Sequence, residues 1–326
     1  MVAVVAKVAW RQMPKNVNTR PIVVVGGPTA SGKSGLAMKL AERFDGEIIN
    51  ADSMQIYREL PILSARPSTA DETRVPHHLY GVISVADGYS AGQWLQMAEI
   101  AISDVCIRGK LPIICGGTGL YLKVLMEGIA PVPPVPEDAA LAARALYDEL
   151  GGDAFKARLT EIDPDGAAKL PAADHQRLIR AYAVKTATGR TLAEWQADQS
   201  VDPGVDGKYF TILLAPPRDA LYARIEARFD AMVDLGGLKE AQALGAQGLD
   251  PSLPGLKALG MPNFLAHLAG TCTLDDAIEK AKQTTRNFAK RQTTWFRHQI
   301  SADLEVPGFG DGAEAGAVDA LARFLG

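Results

Sequence analysis

Residues 27–34, Gly27-Pro28-Thr29-Ala30-Ser31-Gly32-Lys33-Ser34, constrain this chain more than any other stretch. Glycines bracket the segment and a Lys-Ser pair closes it, the pattern of a loop whose backbone amides wrap a phosphate. Its flanks are those such a loop needs. The β-branched run Ile22-Val23-Val24-Val25 leads in as a strand, and Leu36, Ala37, Leu40 and Ala41 lead out at helical spacing. A helix starting at the loop turns its free N–H groups and the positive end of its dipole toward the anion. Lys33 adds a mobile cation for the same oxygens, and Ser34 a hydroxyl for a Mg²⁺ ion shared with the ligand. The chain is expected to grip a diphosphate or polyphosphate. Kinases, ATPases and GTPases share the loop, so the other elements must decide what becomes of the ligand.

With 326 residues, the chain has room for one large α/β domain and a smaller one. The net charge of −4 means that any nucleic-acid contact must come from a local basic patch. Cys106, Cys115 and Cys272 are odd in number and lack C-x-x-C spacing. That favours reduced thiols in the cytoplasm over a zinc site or a disulfide frame. No apolar run is long enough to span a membrane, and a monomer is expected. Residues 1–20 carry Lys7, Arg11, Lys15 and Arg20 with no acid. They suit a disordered extension better than a targeting peptide, because the apolar part is short and no cleavage site follows.

Glu47-Ile48-Ile49-Asn50 forms a second strand, ending at Asp52-Ser53-Met54-Gln55-Ile56-Tyr57. In doubly wound sheets, ligands sit at the carboxyl ends of strands, which directs Asp52 into the crevice of the phosphate loop. There it serves as a Mg²⁺ ligand or a general base, or else caps a helix. The prolines around 61–67 and 75–79 indicate loops. His77-His78 lacks a third ligand at useful spacing, so packing or capping is favoured over a metal site. Residues 91–107 carry a helical apolar stripe. Leu111-Pro112-Ile113-Ile114-Cys115 is a third strand. It ends in Gly116-Gly117-Thr118-Gly119, where many phosphate-loop NTPases place a Mg²⁺-holding Asp. Small residues there are expected to let a bulky group approach the backbone, and no guanine-reading Asn-Lys-x-Asp occurs.

Pro131 to Pro136 forms a linker, and 138–199 is helical without strand signals. The expected organisation is a discontinuous core, 21–130 and 203–307, around an all-α insertion at 131–202, with 308–326 a peripheral tail. The core is an α/β fold, a parallel sheet flanked by helices of the P-loop NTPase type. Arg177 and Arg180 share one face of an insertion helix, solvated or ligand-facing. After the strand Lys208–Leu214, Arg224 and Arg228 stand beside a buried stripe, placed either to clamp phosphate oxygens or to form surface ion pairs. In the last long helix, Lys282, Arg286, Lys290 and Arg297 fall within an arc of roughly 80° at about 100° per residue. Ala281, Phe288, Trp295 and Phe296 lie on another arc. No acid occurs between Lys280 and His298. A one-sign cationic stripe over an aromatic packing face is the footprint of a phosphate-backbone contact.

A diphosphate grip without hydrolytic machinery, a carboxylate beside it and a cationic helix together suggest group transfer from a diphosphate onto nucleic acid. In these motifs the chain resembles the tRNA dimethylallyltransferases (tRNA isopentenyltransferases) from about residue 21 to 300. The resemblance is carried by the loop, Asp52-Ser53 with Gln55 and Tyr57, Ala65-Arg66-Pro67, Pro76-His77-His78-Leu79 and Tyr89-Ser90. It continues in Gly116 to Tyr121, Asp163-Pro164, Gln176-Arg177-Leu178-Ile179-Arg180, Thr188-Gly189, Arg224/Arg228 and Lys290-Arg291-Gln292-Thr293-Thr294-Trp295-Phe296-Arg297.

The resemblance implies transfer of a dimethylallyl group from dimethylallyl diphosphate to the exocyclic amine of an adenine, with release of diphosphate. That adenine lies immediately 3′ of the anticodon in tRNAs reading U-starting codons. It further implies that Asp52 is the general base and that Lys33, Arg224 and Mg²⁺ near Ser34 stabilise the diphosphate. Thr118 is implied to lie near the target adenosine. The anticodon stem-loop would be contacted by Asp52 to Gln55, Gln176 to Arg180, and Lys290 to Arg297. The cationic stripe adds Arg286 to these contacts. Ala258-Leu259-Gly260-Met261-Pro262 and Ala183 depart from the family pattern, and no Cys/His-rich C-terminal extension follows, as in the bacterial form. A small-molecule or nucleotide kinase, an isopentenyltransferase acting on free adenine nucleotides, and a non-enzymatic RNA-binding module are the competing readings.

Overall fold

The computed structural model describes residues 20–197 and 204–326. The expectation for 1–20 therefore falls, apart from Arg20, outside the described residues. Six strands form one parallel sheet in the order β3-β2-β4-β1-β5-β6. They are β1 (Pro21–Gly26), β2 (Gly46–Asn50), β3 (His77–His78), β4 (Leu111–Gly116), β5 (Lys208–Leu214) and β6 (Leu304–Val306). Every residue of β1, β2 and β4 is buried. Helices cover both faces of a parallel sheet, so its central strands are apolar almost throughout rather than alternating. Val24 pairs with Ile114 on one side and Thr211 on the other, which brings the ends of β1 and β4 level at Gly26 and Gly116.

Six helices position the site: α1 (Lys33–Phe44), α2 (Ala91–Ile107), α3 (Gly119–Glu127), α4 (Arg218–Asp234), α5 (Leu274–Gln299) and α6 (Glu314–Leu325). A capping box at Ser90 and Gln93 starts α2, and Thr273 with Asp276 starts α5 in the same way. Each arrangement satisfies two otherwise free N–H groups at a helix start.

The chain separates into two compact units, Met1–Glu127 with Val205–Gly326, and Gly128–Gly204. The smaller unit is helical and has its own core of Phe155, Leu159, Ala167, Leu178 and Ala181. Ala183 is buried in its helix His175–Thr188, so an acidic side chain would be desolvated at that position.

Two expectations are corrected. The tail 308–326 is not peripheral: Ala317, Leu321 and Leu325 of α6 are at most 1% exposed and join the cluster containing Val23, Leu36 and Ile212. Its Gly/Ala-rich composition suggested a loose end. A helix spacing its few large apolar residues at i, i+4 and i+8 nevertheless forms a complete packing stripe. The 75–79 segment is likewise not all loop, since His77 and His78 pair with Ile48 and Ile49 as the edge strand β3. His77 Nδ1 lies 2.8 Å from the Val75 carbonyl and His78 Nε2 2.7 Å from Glu47 Oε2, so both rings are used in packing the edge.

Candidate active site at the phosphate loop

The loop joins β1 to α1 through a tight path. Gly27 and Gly32 take φ of 147° and 86°, and Ala30 takes 63°. Lys33 Nζ donates to the Pro28 carbonyl across the loop at 2.7 Å. Burial pushes the Lys33 ammonium down to about 8, partly opposed by Cys115 and Asp52, with Arg228 lowering it further. Arg228 is also depressed by burial, with Asp52 favouring its charge. Its Nη2 donates to Thr29 Oγ1 at 2.5 Å. Ala30, Gly32, Lys33, Ser34, Gly35, Arg224, Arg228 and Asp311 enclose a cavity of about 300 Å³. Arg228 is therefore as much part of the phosphate site as Arg224, and its i, i+4 spacing from Arg224 on α4 was the signal for it. Arg224 stands at the wall, ion-paired with Asp311 and lying over the Phe309 ring at 4.2 Å.

The strand end of β4 carries no acid. Cys115 occupies it, its buried thiol pushed up to about 11 and in hydrogen-bond contact with Ser34. The glycines that follow do admit bulky groups, but these belong to the chain itself. A Cβ on Gly119 would lie 2.1 Å from the Trp295 ring, and one on Gly116 2.0 Å from the Ala51 carbonyl.

Asp52 is held by its backbone. Asn50, fully buried, accepts from the Asp52 N–H at 2.8 Å and donates to the Asp52 and Leu79 carbonyls at 3.0 Å. Trp94 Nε1 in turn donates to the Asn50 carbonyl at 2.9 Å. Asp52 Oδ1 accepts from the Met54 N–H at 2.9 Å. Oδ2 faces Gly117 and has no hydrogen-bond partner among the described residues. One carboxylate oxygen is thus fixed and the other is open, the disposition a proton acceptor needs. Beside it, Thr118 Oγ1 accepts from the Ser53 N–H at 2.9 Å and donates to Ser53 Oγ at 3.2 Å. Ser53, Gly117, Thr118, Gly119, Leu120, Phe288, Arg291, Gln292, Trp295 and Phe296 line a second cavity of about 230 Å³. Leu120 and Phe288 were not foreseen as site residues. Phe288 was assigned to the packing arc, and Leu120 sits at a helix start where apolar character alone does not distinguish core from cavity.

Several sequence-predicted contacts are placed differently. The α5 residues Ala277, Ala281, Thr285, Ala289, Gln292 and Phe296 form its buried face. Phe296 packs near Gly26 and lines the second cavity from the buried face of the helix. Gln292 is 6% exposed, and both ends of its amide are engaged: Thr29 N–H donates to Oε1 and Nε2 donates to the Gly117 carbonyl, each at 2.8 Å. It braces the phosphate loop against the acceptor-side loop instead of reaching solvent. Arg286 pairs with Glu226 and Lys282 with Asp230 at 2.7 Å, both acids lying on α4. Lys282 also meets Glu279 of its own helix at 3.4 Å, but the acids that pair with Arg286 and, more closely, with Lys282 come from the neighbouring helix, which the sequence of α5 alone does not reveal.

Lys290, Arg291, Thr294 and Arg297 remain exposed, and the three cations have no acidic partner among the described residues. Trp295 is half-buried, edge-on to Phe296, and Thr293 Oγ1 bonds back to the Ala289 carbonyl at 3.0 Å. Gln55 Nε2 donates to the Ser64 and Ala65 carbonyls, so that amide secures a loop; Met54 is half-buried. In the insertion, Leu178 is fully buried and Ile179 packs against the same core, while Gln176, Arg177 and Arg180 are exposed. Arg177 pairs with Asp174, the N-cap of its helix. A contiguous box of residues cannot present one face, because a helix turns about 100° per residue.

A parallel α/β sheet with a phosphate loop, a strand-end carboxylate and an aromatic-lined second cavity places the chain among the phosphate-loop proteins, with room for a second ligand beside the anion site. Comparison with known proteins makes this specific. Residues 55–299 match the IPP transferase family model, and residues 21–80 match the isopentenyl transferase model. The chain is 50% identical over 284 residues to the tRNA dimethylallyltransferase of Rhodospirillum centenum, covering 87% of this chain and 90% of that protein. The tRNA dimethylallyltransferase of Paramagnetospirillum magneticum shows the same identity and coverage. Among solved structures, the tRNA isopentenylpyrophosphate transferase of Bacillus halodurans aligns with a TM-score of 0.66 at 30% identity, covering 94% of this chain and 95% of that one. A eukaryotic dimethylallyltransferase acting on tRNA aligns at 0.73 and 27% identity, over 89% and 74% of the two chains. The chain belongs to the tRNA dimethylallyltransferase family of prenyltransferases.

Proposed function

We propose that the chain transfers the dimethylallyl group of dimethylallyl diphosphate to the exocyclic amine of the adenine 3′ of the anticodon, in tRNAs reading U-starting codons. The observation that carries this reading is the position of Asp52 between two unlike cavities: its Oδ2 faces Gly117, which lines one, and its charge acts on Lys33, which lines the other. One is cationic and loop-walled, suited to a diphosphate. The other is lined by Leu120, Phe288, Trp295 and Thr118, suited to a flat base and an apolar chain.

In this mechanism the donor's diphosphate takes the amides of residues 27–34, with Lys33, Arg224 and Arg228 supplying positive charge. These groups stabilise the leaving group as charge builds on it, and the folded loop holds them ready. The adenine leaves the anticodon stack to reach the cavity. Asp52 accepts the amine proton as the new C–N bond forms, because the neutral amine is a very weak acid beforehand. Thr118, held by Ser53, lies where the adenosine enters. Lys290, Arg291 and Arg297 meet the tRNA backbone, and exposed Gln176, Arg177 and Arg180 are proposed to meet the stem-loop from the insertion.

Mg²⁺ fits the Ser34 position. Among the described residues no cluster of three His, Cys, Asp or Glu side chains stands ready to hold a metal. A hard cation that prefers phosphate oxygens and waters needs little more than one hydroxyl from the protein. When bound, the ion would neutralise diphosphate charge. Among the described residues no helix is long and apolar enough to cross a membrane. Cys106, Cys115 and Cys272 are free thiols, which supports action in the reducing cytoplasm.

Incubating the pure protein with Mg²⁺, dimethylallyl diphosphate and unmodified tRNA tests the reading. The mass of one dimethylallyl group on a single adenosine is expected. Phosphoryl transfer from ATP, with the isoprenoid donor ignored, would overturn it.

A further inference from the structure

The turn Phe309-Gly310-Asp311 has no part in the chemistry above, yet it walls the phosphate cavity. The Gly310 N–H donates to the Ser31 carbonyl at 2.9 Å. The turn lies so close to the loop that a Cβ on Gly310 would come within 2.2 Å of the Gly32 carbonyl. Fixed in this way, it places the Asp311 carboxylate against Arg224, whose guanidinium rests on Phe309. Asp311 is the one carboxylate among the residues lining that cavity.

A carboxylate in a cavity built for anions weakens anion binding through Coulomb repulsion, so affinity does not account for it. Position does. The acceptor cavity lies beyond the Thr29–Gln292–Gly117 brace, and Asp52 faces Gly117 at that brace. A donor with its reacting carbon toward Asp52 therefore extends its phosphates toward Arg224 and Asp311.

We propose that Asp311 is a specificity-determining residue that closes the phosphate cavity behind a diphosphate and rejects a third phosphate group. It holds the outermost arginine in an ion pair at the cavity wall and sets a negative charge where a triphosphate would continue. The inference rests on the donor reading of the loop and adds to it a discrimination against triphosphates, nucleoside triphosphates included.

The test measures calorimetric affinities of inorganic diphosphate and inorganic triphosphate for the full chain, D311N and D311E, with and without Mg²⁺. The Asp311 side chain is 56% exposed, so the substitutions leave the core intact. D311N should shift the triphosphate-to-diphosphate affinity ratio about tenfold toward triphosphate, the effect of removing one charge a few ångströms from the third group. D311E should keep the wild-type ratio. An unchanged ratio in D311N would overturn the proposal. So would a loss of diphosphate binding in D311N confined to Mg²⁺-containing buffer, which would make Asp311 a metal ligand. A wild-type chain that binds neither anion would overturn the donor reading and this inference together.

Discussion

Replacing Gln292 by methionine removes both hydrogen bonds of the brace while keeping nearly the same side-chain volume, so no cavity opens. A bond lost to water costs about 1 kcal/mol net, whereas one whose buried partner is left unpaired costs about 1–3 kcal/mol instead. The two ends differ. Gly117 is buried, so its carbonyl bears that cost, whereas half-buried Thr29 can offer its N–H to water. The total is about 2–4 kcal/mol. In a core of this size each kcal/mol moves the melting temperature by about 2–4 °C, giving a fall of about 4–16 °C. If half of the loss falls on ordering the loop, the donor KM rises about 5- to 30-fold. Thermal melts and steady-state kinetics with labelled donor and saturating tRNA give both quantities. A Tm within about 2 °C of wild type, together with a donor KM within about twofold, would refute the brace.

The pH dependence of donor capture follows from Lys33. Its proton is needed to bind the anion and its pKa is lowered to about 8, so kcat/KM for the donor should fall as pH rises through about 8. Lys33→Arg should flatten that limb, and a limb that persists in the variant would assign it to another group. On α5, Lys290→Ala, Arg291→Ala and Arg297→Ala should each weaken tRNA binding and reduce the salt slope by about 1. Arg286→Ala, which breaks an ion pair with Glu226, should leave that slope unchanged while lowering stability. An equal slope change in all four variants would restore the original stripe.

The phosphate loop, the four inner strands β1, β2, β4 and β5 and the two long helices α2 and α5 were legible because each rests on local chemistry. Glycine spacing, β-branched runs and capping residues act within a few positions of one another. What escaped was set by distant partners. Glu226 and Asp230 neutralise half of the α5 stripe from another helix. Gln292 looked like a surface contact because a polar residue inside a cationic box gives no sign of burial. The tail concealed both a packing stripe and Asp311, since its small residues carry little hydrophobic pattern. Arg228, four residues after Arg224, shows the reverse: the spacing marked both arginines, and only the fold shows that Arg228 lies deeper.

The central claim is that Asp52 takes the amine proton in a site whose phosphate loop holds the isoprenoid donor. Rapid-quench single-turnover transfer by Asp52→Asn, with donor and tRNA affinities measured alongside, tests it most directly. The account predicts affinities within about twofold of wild type and a transfer step slower by about 10²- to 10⁴-fold. An Asp52→Asn protein that transfers the dimethylallyl group at close to the wild-type rate would contradict it.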